Sequence, residues 1–171
     1  MRTFRNFMLL IMTVSLITFT GCKSDDDGGD GGNAANGTIE ASVDGAGFTS
    51  LNITSIATLA NGNLILQGND ADGKGIVITI FAYDGVGTYD FTGADPLILH
   101  TAVYIETDIN NPMNSQSWSA PFDTTMVGSV SISSETDDNI QGTFNFTGQN
   151  ANDNSQKVIT DGSFNLDKQV L

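Results

Sequence analysis

The sequence is poor in cysteine, in basic residues and in histidine, and each scarcity excludes a class of function. Its 171 residues include one cysteine, Cys22, so the chain can form neither an intramolecular disulfide nor a thiolate metal cluster. Six Lys and Arg residues stand against 20 Asp and Glu residues. From residue 37 onward, 16 acidic residues and three lysines leave a net charge near −13. Such a surface repels phosphate backbones and contains no basic stripe, so we predict no nucleic-acid partner.

A hydrophobic run long enough to span a bilayer is also lacking. The uncharged run Met8–Phe19 has about a dozen residues, whereas a membrane-spanning helix needs about 20. Two arginines precede the run, as is typical of a signal peptide. The run is followed by Thr20-Gly21-Cys22, and Phe19-Thr20-Gly21-Cys22 resembles the lipobox of bacterial lipoproteins. The resemblance implies cleavage of residues 1–21 and lipid on Cys22. The alternative is an ordinary signal peptide with a cysteine near its end.

Residues 22–36 are acidic and rich in glycine, a composition that cannot bury apolar surface and indicates a flexible tether. The run Lys23-Ser24-Asp25-Asp26-Asp27 directly follows Cys22 and resembles the surface-export signal of Bacteroidota lipoproteins. The resemblance implies a protein held on the outer membrane through its lipid and facing the cell exterior. The alternative is that Asp25–Asp27 are only part of a solvated linker. Two or three acyl chains anchor a protein stably, so the lipid alone can attach this acidic domain to a membrane.

Residues 37–171 contain short apolar runs of period two, separated by turn signals such as Asp44-Gly45 and Asn61-Gly62. About nine short strands of this kind predict a single all-β domain. We expect an antiparallel up-and-down meander that forms a small barrel or a two-sheet sandwich. The side chains expected in the core include Val130, Ile132, Phe144, Phe146 and Phe164.

The segment Leu97–Ile105 is also expected to be a strand, and it contains the only histidine, His100. We expect its core face to consist of Leu97, Leu99, Val103 and Ile105. This phase places His100 and Tyr104 on the opposite face of the strand.

Several short motifs of the domain are characteristic in combination: Asp44-Gly45 with Phe48, Gly87-Thr88-Tyr89, Gly128 with Val130 and Ile132, Ile140–Phe146, and Thr160–Phe164. Together they resemble a family of Bacteroidota surface lipoproteins that is catalogued as a domain of unknown function. The resemblance covers most of residues 37–168. It implies a secreted β domain and brings no catalytic residues with it.

No catalytic or metal-binding pattern stands out. His100 lacks a recognisable nucleophile motif, which favours a structural or exposed histidine. A carboxylate pair for glycoside hydrolysis stays open, because sequence does not give the separation of two carboxylates. The run Asn69–Gly73 resembles the opening of a calcium loop, but Phe81 occupies the position of the bidentate Glu, which favours a hairpin turn. We predict no metal and no cofactor.

The candidate ligand contacts are Trp118, Tyr104 and His100. Trp118 lies in the long connection 106–126, and long loops are often functional. Trp118, Ala120 and Phe122 also alternate as an inward strand face would, so core packing is the alternative for Trp118. In the same connection, Asp123-Thr124-Thr125 resembles the O-glycosylation acceptor of Bacteroidota, which would place a sugar on Thr124.

These observations predict a lipid-anchored, non-enzymatic surface module that binds a glycan or another envelope protein. Two alternatives remain: a structural lipoprotein without a specific ligand, and a hydrolase. A concave pocket that gathers polar groups beside Trp118 or Tyr104 would favour binding. A buried Trp118 without such a pocket would favour the structural alternative.

Overall fold

One continuous sheet contains every strand of the domain. The structure is a computed structural model and describes residues 34–171. Its eleven strands are β1 (Thr38–Val43), β2 (Ala46–Thr49), β3 (Ile56–Ala60), β4 (Asn63–Asn69), β5 (Lys74–Ile80), β6 (Gly87–Thr92), β7 (Thr101–Glu106), β8 (Gln116–Ala120), β9 (Met126–Glu135), β10 (Asn139–Gln149) and β11 (Gln156–Val170). Two short 3₁₀ helices, Asn52–Thr54 and Pro112–Asn114, lie in connections. We find no helix in residues 34–171 that is long and apolar enough to cross a membrane.

Tight turns join several neighbouring strands. Asp44 and Gly45 have φ angles of 49° and 83° between β1 and β2, and Asn61 and Gly62 have φ angles of 51° and 75° between β3 and β4. A type I′ turn requires positive φ at both central residues, which Asn, Asp and Gly adopt most easily. These two dipeptides therefore set the hairpins that the sequence predicts.

The strand order is β2-β1-β11-β3-β4-β5-β7-β8-β10-β9-β6, and β11 also pairs with β10. The pairings therefore run in a closed circuit from β11 through β3, β4, β5, β7, β8 and β10 back to β11. All pairs are antiparallel except β11 with β3, where residues 168–170 pair in parallel with residues 57–59. The predicted all-β, mostly antiparallel class is confirmed.

The structure has eleven strands where the sequence predicts about nine. The two additional strands are β2 and β8. β2 has four residues and buries only Phe48, which is too little to show an alternation in the sequence. The sequence also does not predict the parallel pair of β3 and β11, because these two strands lie far apart in the sequence and no turn joins them.

The predicted core face of Leu97–Ile105 is wrong. The strand β7 begins only at Thr101, and its buried residues are Ala102 and Tyr104. Leu97 is 91% exposed in the preceding loop. Because the loop does not follow the two-residue period of a strand, counting from Leu97 gives β7 the opposite phase. Tyr104 consequently faces inward and not outward.

The predicted aromatic core is confirmed. Val130, Ile132, Phe144, Phe146 and Phe164 are all buried. Phe144 stacks on Phe146 and on Phe164 with ring centroids 6.4 and 6.5 Å apart. These rings come from β10 and β11, the two longest strands, which pair with each other. Their packing therefore holds these two strands together in the core.

Phe146→Ala should lower the free energy of unfolding by about 3–5 kcal/mol, because the truncated ring leaves a cavity among neighbouring rings. Urea unfolding of the purified protein measures this loss. Asn145→Ala is the control: Asn145 is exposed on the opposite face of β10, so its substitution should change stability by less than about 0.5 kcal/mol. A loss below about 1 kcal/mol for Phe146→Ala would place this side chain outside the core.

Candidate functional site

The inward faces of three neighbouring strands end in polar side chains at the same level. Along each strand, alternate residues share a face, so Lys74 lies on the face of the buried Ile76, Glu106 on that of Tyr104, and Gln116 on that of Trp118. Lys74 is paired with Glu106, and Glu106 with Gln116, in the strand register. We call these three residues, Lys74, Glu106 and Gln116, the polar rim.

Two adjoining grooves flank the polar rim and share Lys74 and Glu106. The hairpin groove, about 220 Å³ in volume, lies between the rim and the β1–β2 hairpin. Its lining includes Asp44, Gly47, Phe48, Tyr104 and Lys157. The loop groove, about 340 Å³, lies between the rim and the connection from β7 to β8. Its further lining residues are Asp72, Thr107, Asp108, Asn114 and Gln116.

Lys157 connects the two walls of the hairpin groove. Its Nζ lies 3.3 Å from Oδ2 of Asp44 and 3.4 Å from Oε1 of Glu106. The same Nζ lies 5.2 Å from the ring centroid of Trp118, within the range of a cation–π contact. Tyr104 donates a hydrogen bond of 3.1 Å from its hydroxyl to Oε1 of Glu106. The groove therefore presents fixed charges and a phenol oxygen on a wall of core aromatic residues.

These contacts shift the pKa values of two groove residues. The backbone N–H of Val158 donates to Asp44 at 2.9 Å and lowers the pKa of Asp44; burial opposes this effect, and the bond and charge of Lys157 add to it. Burial alone would lower the pKa of Lys157, but hydrogen bonding to Asp44 and the charges of Glu106 and Asp44 outweigh it and raise that pKa. Both groups are therefore ionised at neutral pH.

Trp118 and Tyr104, two of the candidate ligand contacts, belong mainly to the core. Trp118 is 6% exposed and Tyr104 is 2% exposed, and their ring centroids lie 5.9 Å apart. The indole N–H of Trp118 donates to Oγ of Ser155 at 3.0 Å. Trp118 and Ala120 are both buried, as the inward-strand interpretation of this segment requires. The interpretation is wrong at Phe122, because the strand ends at Ala120 and Phe122 lies half-buried in the following loop. The Trp118 ring packs under the Lys157 ammonium through the cation–π contact, and Tyr104 lines the hairpin groove.

His100, the third candidate contact, does not line either groove. Its Nδ1 accepts a hydrogen bond of 3.2 Å from the backbone N–H of Phe81, and its ring meets Tyr89 edge-on at 5.3 Å. Burial lowers the pKa of His100, and the charge of Asp90 opposes that effect without cancelling it. The imidazole thus has a structural environment of backbone and aromatic contacts.

The imidazole of His100 should titrate below its ordinary pKa of 6.5, because burial and the Phe81 hydrogen bond both favour the neutral ring. Protonation then favours the unfolded chain, so stability should fall as the pH drops from 6.5 toward the folded-state pKa. The single histidine gives one resolved imidazole signal in a ¹H–¹³C NMR titration. A measured pKa at or above 6.5 would contradict this environment.

A third, more apolar pocket lies beside Thr124. It has a volume of about 350 Å³, and its lining includes Pro96, Leu99, Pro121 and Phe122. Thr124 itself is exposed on the loop between β8 and β9, where its carbonyl accepts a hydrogen bond from Oγ1 of Thr92.

The run Asn69–Gly73 forms the turn between β4 and β5. Oδ1 of Asp70 accepts hydrogen bonds from the backbone N–H groups of Asp72 and Lys74, so this carboxylate serves the turn. Within residues 34–171, no group of three or more His, Cys, Asp and Glu side chains could hold a metal ion. The candidate residues Cys22 and Lys23–Asp27 lie outside the described residues.

Sequence reasoning missed the polar rim, together with Asp44 and Lys157. Part of the signal was present, because Lys74 continues the two-residue alternation of Ile76, Ile78 and Ile80. What the sequence does not show is the register that places Lys74, Glu106 and Gln116 side by side. Lys157 and Asp44 come from distant segments, and only the sheet brings them together.

Comparison with known proteins gives one family. Neither the search of curated proteins nor the search of solved structures found a match. The family described as Domain of unknown function (DUF6252) matches residues 35–166, which is most of the chain and nearly all of the described β domain. The chain therefore belongs to this family of domains of unknown function, DUF6252.

Proposed function

We propose that this protein is a lipid-anchored envelope protein whose β domain is a non-enzymatic surface binding module. Its ligand is a glycan or part of another envelope component, held in the grooves along the polar rim. The observation that carries this proposal is the convergence of charged and hydrogen-bonding side chains on a concave surface beside Tyr104. Ligand sites typically combine a concave surface with a few convergent polar groups.

The chemistry of the grooves suits a ligand rich in hydroxyl groups. The loop groove offers carboxylates from Asp72 and Asp108 and amides from Asn114 and Gln116. Carboxylates accept hydrogen bonds, and amides both donate and accept them, so together they can satisfy hydroxyl groups in several orientations. The two grooves adjoin at Lys74 and Glu106 and have volumes of about 220 and 340 Å³. Together they have room for more than one sugar ring.

The ion pairs of the hairpin groove favour binding over hydrolysis. Asp44 and Glu106 form the kind of carboxylate pair that a glycosidase could use, but both lie within 3.4 Å of the same Lys157 ammonium. A glycosidase needs one carboxyl group that carries a proton, with a raised pKa. Here the pKa of Asp44 is lowered by the Val158 N–H and by Lys157. This charge arrangement argues against Asp44 as the proton-carrying acid of a glycosidase pair.

The proposed attachment uses residues before the domain. We propose that residues 1–21 are a signal peptide, that Cys22 carries lipid, and that Lys23–Asp27 direct the protein to the outer face of a Bacteroidota outer membrane. Twelve residues, 22–33, separate the lipid from the described domain, and such a segment spans up to about 40 Å when extended. This reach allows the grooves to meet ligands away from the membrane surface.

Cys22→Ser should release the protein from the membrane fraction, because the variant has no thiol to receive lipid. Fractionation of cells by ultracentrifugation, followed by immunoblotting, measures the distribution. Intact-mass spectrometry of the wild-type protein should show loss of residues 1–21 and gain of acyl mass. Continued membrane partitioning of Cys22→Ser would refute the lipid anchor and leave the ordinary signal peptide as the alternative.

Ala46→Trp should abolish ligand binding by filling the hairpin groove. Ala46 lines this groove and is exposed, and it shares the inward face of β2 with the buried Phe48, so the indole enters the groove. Gly87→Trp on β6 is the matched control, since Gly87 also lies on a strand that ends the sheet order and a Cβ added there meets no atom within 4 Å. Binding is measured on an oligosaccharide array and against envelope extracts.

Three results would separate the proposed functions. Loss of binding in Ala46→Trp but not in Gly87→Trp supports the groove. Equal binding by wild type and both variants would place the ligand elsewhere. Absence of any ligand for the wild-type protein would replace the binding module by the structural lipoprotein.

O-glycosylation of Thr124 is a separate proposal within the same setting. The residue is exposed on a loop, as a modified side chain requires. Oδ1 of Asp123 accepts hydrogen bonds from both the backbone N–H and the hydroxyl of Thr125. Of the two threonine hydroxyl groups, that of Thr124 is therefore the one that does not bond to Asp123.

A further inference from the structure

The three lysines of the described domain differ in their ion pairs. Lys168 lies 2.8 Å from Oε1 of Glu135, and Lys157 contacts both Asp44 and Glu106. Lys74 has no carboxylate oxygen within 4.0 Å among residues 34–171, although this part of the chain contains 16 acidic residues. Lys74 is thus the one lysine of the described domain without an ion pair.

Lys74 occupies the central position of the grooves. It is half-buried at the start of β5, on the inward face that continues as Ile76, Ile78 and Ile80. It lines both the hairpin groove and the loop groove. Its ammonium has no carboxylate partner in the described residues, so an anionic ligand group in the grooves can form an ion pair with it.

The charges around Lys74 indicate which anion fits. Lys157 is already balanced by Asp44 and Glu106, so Lys74 is the only cation left for a ligand in the two grooves. Asp72 and Asp108 on the loop-groove wall would repel a phosphate monoester, which carries nearly two negative charges, more strongly than a singly charged carboxylate. The same carboxylates can accept hydrogen bonds from hydroxyl groups on the rest of the ligand.

We infer that Lys74 is a subsite for the carboxylate of an acidic sugar, whose hydroxyl groups contact the polar side chains of the adjoining grooves. This inference rests on the proposed glycan-binding function and names the class of glycan. The ligand carboxylate would give Lys74 the ion-pair partner that it lacks in the described domain.

The test uses the full-length lipidated protein in detergent and isothermal titration calorimetry. The probes are oligogalacturonate, hyaluronan oligosaccharides and a neutral galacto-oligosaccharide of matched length. We expect at least one acidic probe to bind at least tenfold more tightly than the neutral probe. Lys74→Met, which keeps the length of the side chain and removes its charge, should weaken binding of that acidic probe at least tenfold and weaken binding of the neutral probe by a clearly smaller factor. Raising the salt concentration should weaken wild-type binding of the acidic probe and affect Lys74→Met less.

Two further variants separate charge at the site from net charge. Lys74→Arg should retain binding of the acidic probe, because it keeps the cation. Gln169→Glu makes the net charge one unit more negative, as Lys74→Met does, but at the exposed far end of β11. It should leave the affinities for the acidic and the neutral probe unchanged. Circular dichroism checks that all variants keep the strand signal of the wild type.

Contradictory outcomes fall into distinguishable groups. Equal wild-type affinity for acidic and neutral probes, or an unchanged acidic affinity in Lys74→Met, overturns the carboxylate subsite. In that case the proposed binding function stands if Ala46→Trp still abolishes binding. Absence of binding by every acidic and neutral probe overturns the subsite and the glycan as the ligand together.

Discussion

Strand β11 hydrogen-bonds with three other strands along its length, and the arrangement of the sheet depends on these pairings. Residues 156–167 pair with β10, residues 159–165 pair with β1 on the other edge, and residues 168–170 pair with β3. Because β10 and β3 belong to opposite ends of the run β3 to β10, β11 closes the circuit. Near its end, Lys168 and the hydroxyl of Tyr83 both donate to Glu135 at 2.8 Å. Burial would raise the pKa of Glu135, but these two bonds and the Lys168 charge lower it, which keeps the Glu135 carboxyl group ionised.

The same strand links the core to the grooves. Phe164 and Ile159 of β11 are buried in the core, while Lys157 at its start crosses Trp118 to reach Asp44 and Glu106. Asp44 in turn exchanges hydrogen bonds with Val158: its backbone N–H donates to the Val158 carbonyl, and its carboxylate accepts from the Val158 N–H. The β1–β2 hairpin is therefore fixed against β11 at the point where it forms a groove wall. The position of that wall follows from the pairing of β1 with β11 and not from a flexible loop.

The sequence predicts the elements of this fold better than their mutual positions. Period-two runs and the Asp44-Gly45 and Asn61-Gly62 turns locate most strands, and Phe144 and Phe146 reveal the core, because these features are local. The phase of β7 could not be read, since Leu97–His100 continue its apolar run but lie in a loop. The grooves depend on register between distant strands, so Lys74 and Lys157 gave no local signal of a shared site. Trp118 stood out for its residue type, yet its main role in the structure is to support Lys157.

The boundary position of the polar rim explains how charges can be held next to the core without destabilising it. The ammonium of Lys157 lies over the Trp118 ring at the edge of the core, and the Tyr104 ring is buried while its hydroxyl meets Glu106. Tyr104 thus places its apolar part in the core and its polar end in the groove. A charged group one position deeper, at the level of Ile76 or Tyr104, would lie among buried side chains and require a buried partner. The rim is the deepest level at which the sheet can present charges to a ligand. A ligand group that enters the grooves therefore meets polar atoms fixed by strand pairing and, directly beneath them, the aromatic core that stabilises the domain.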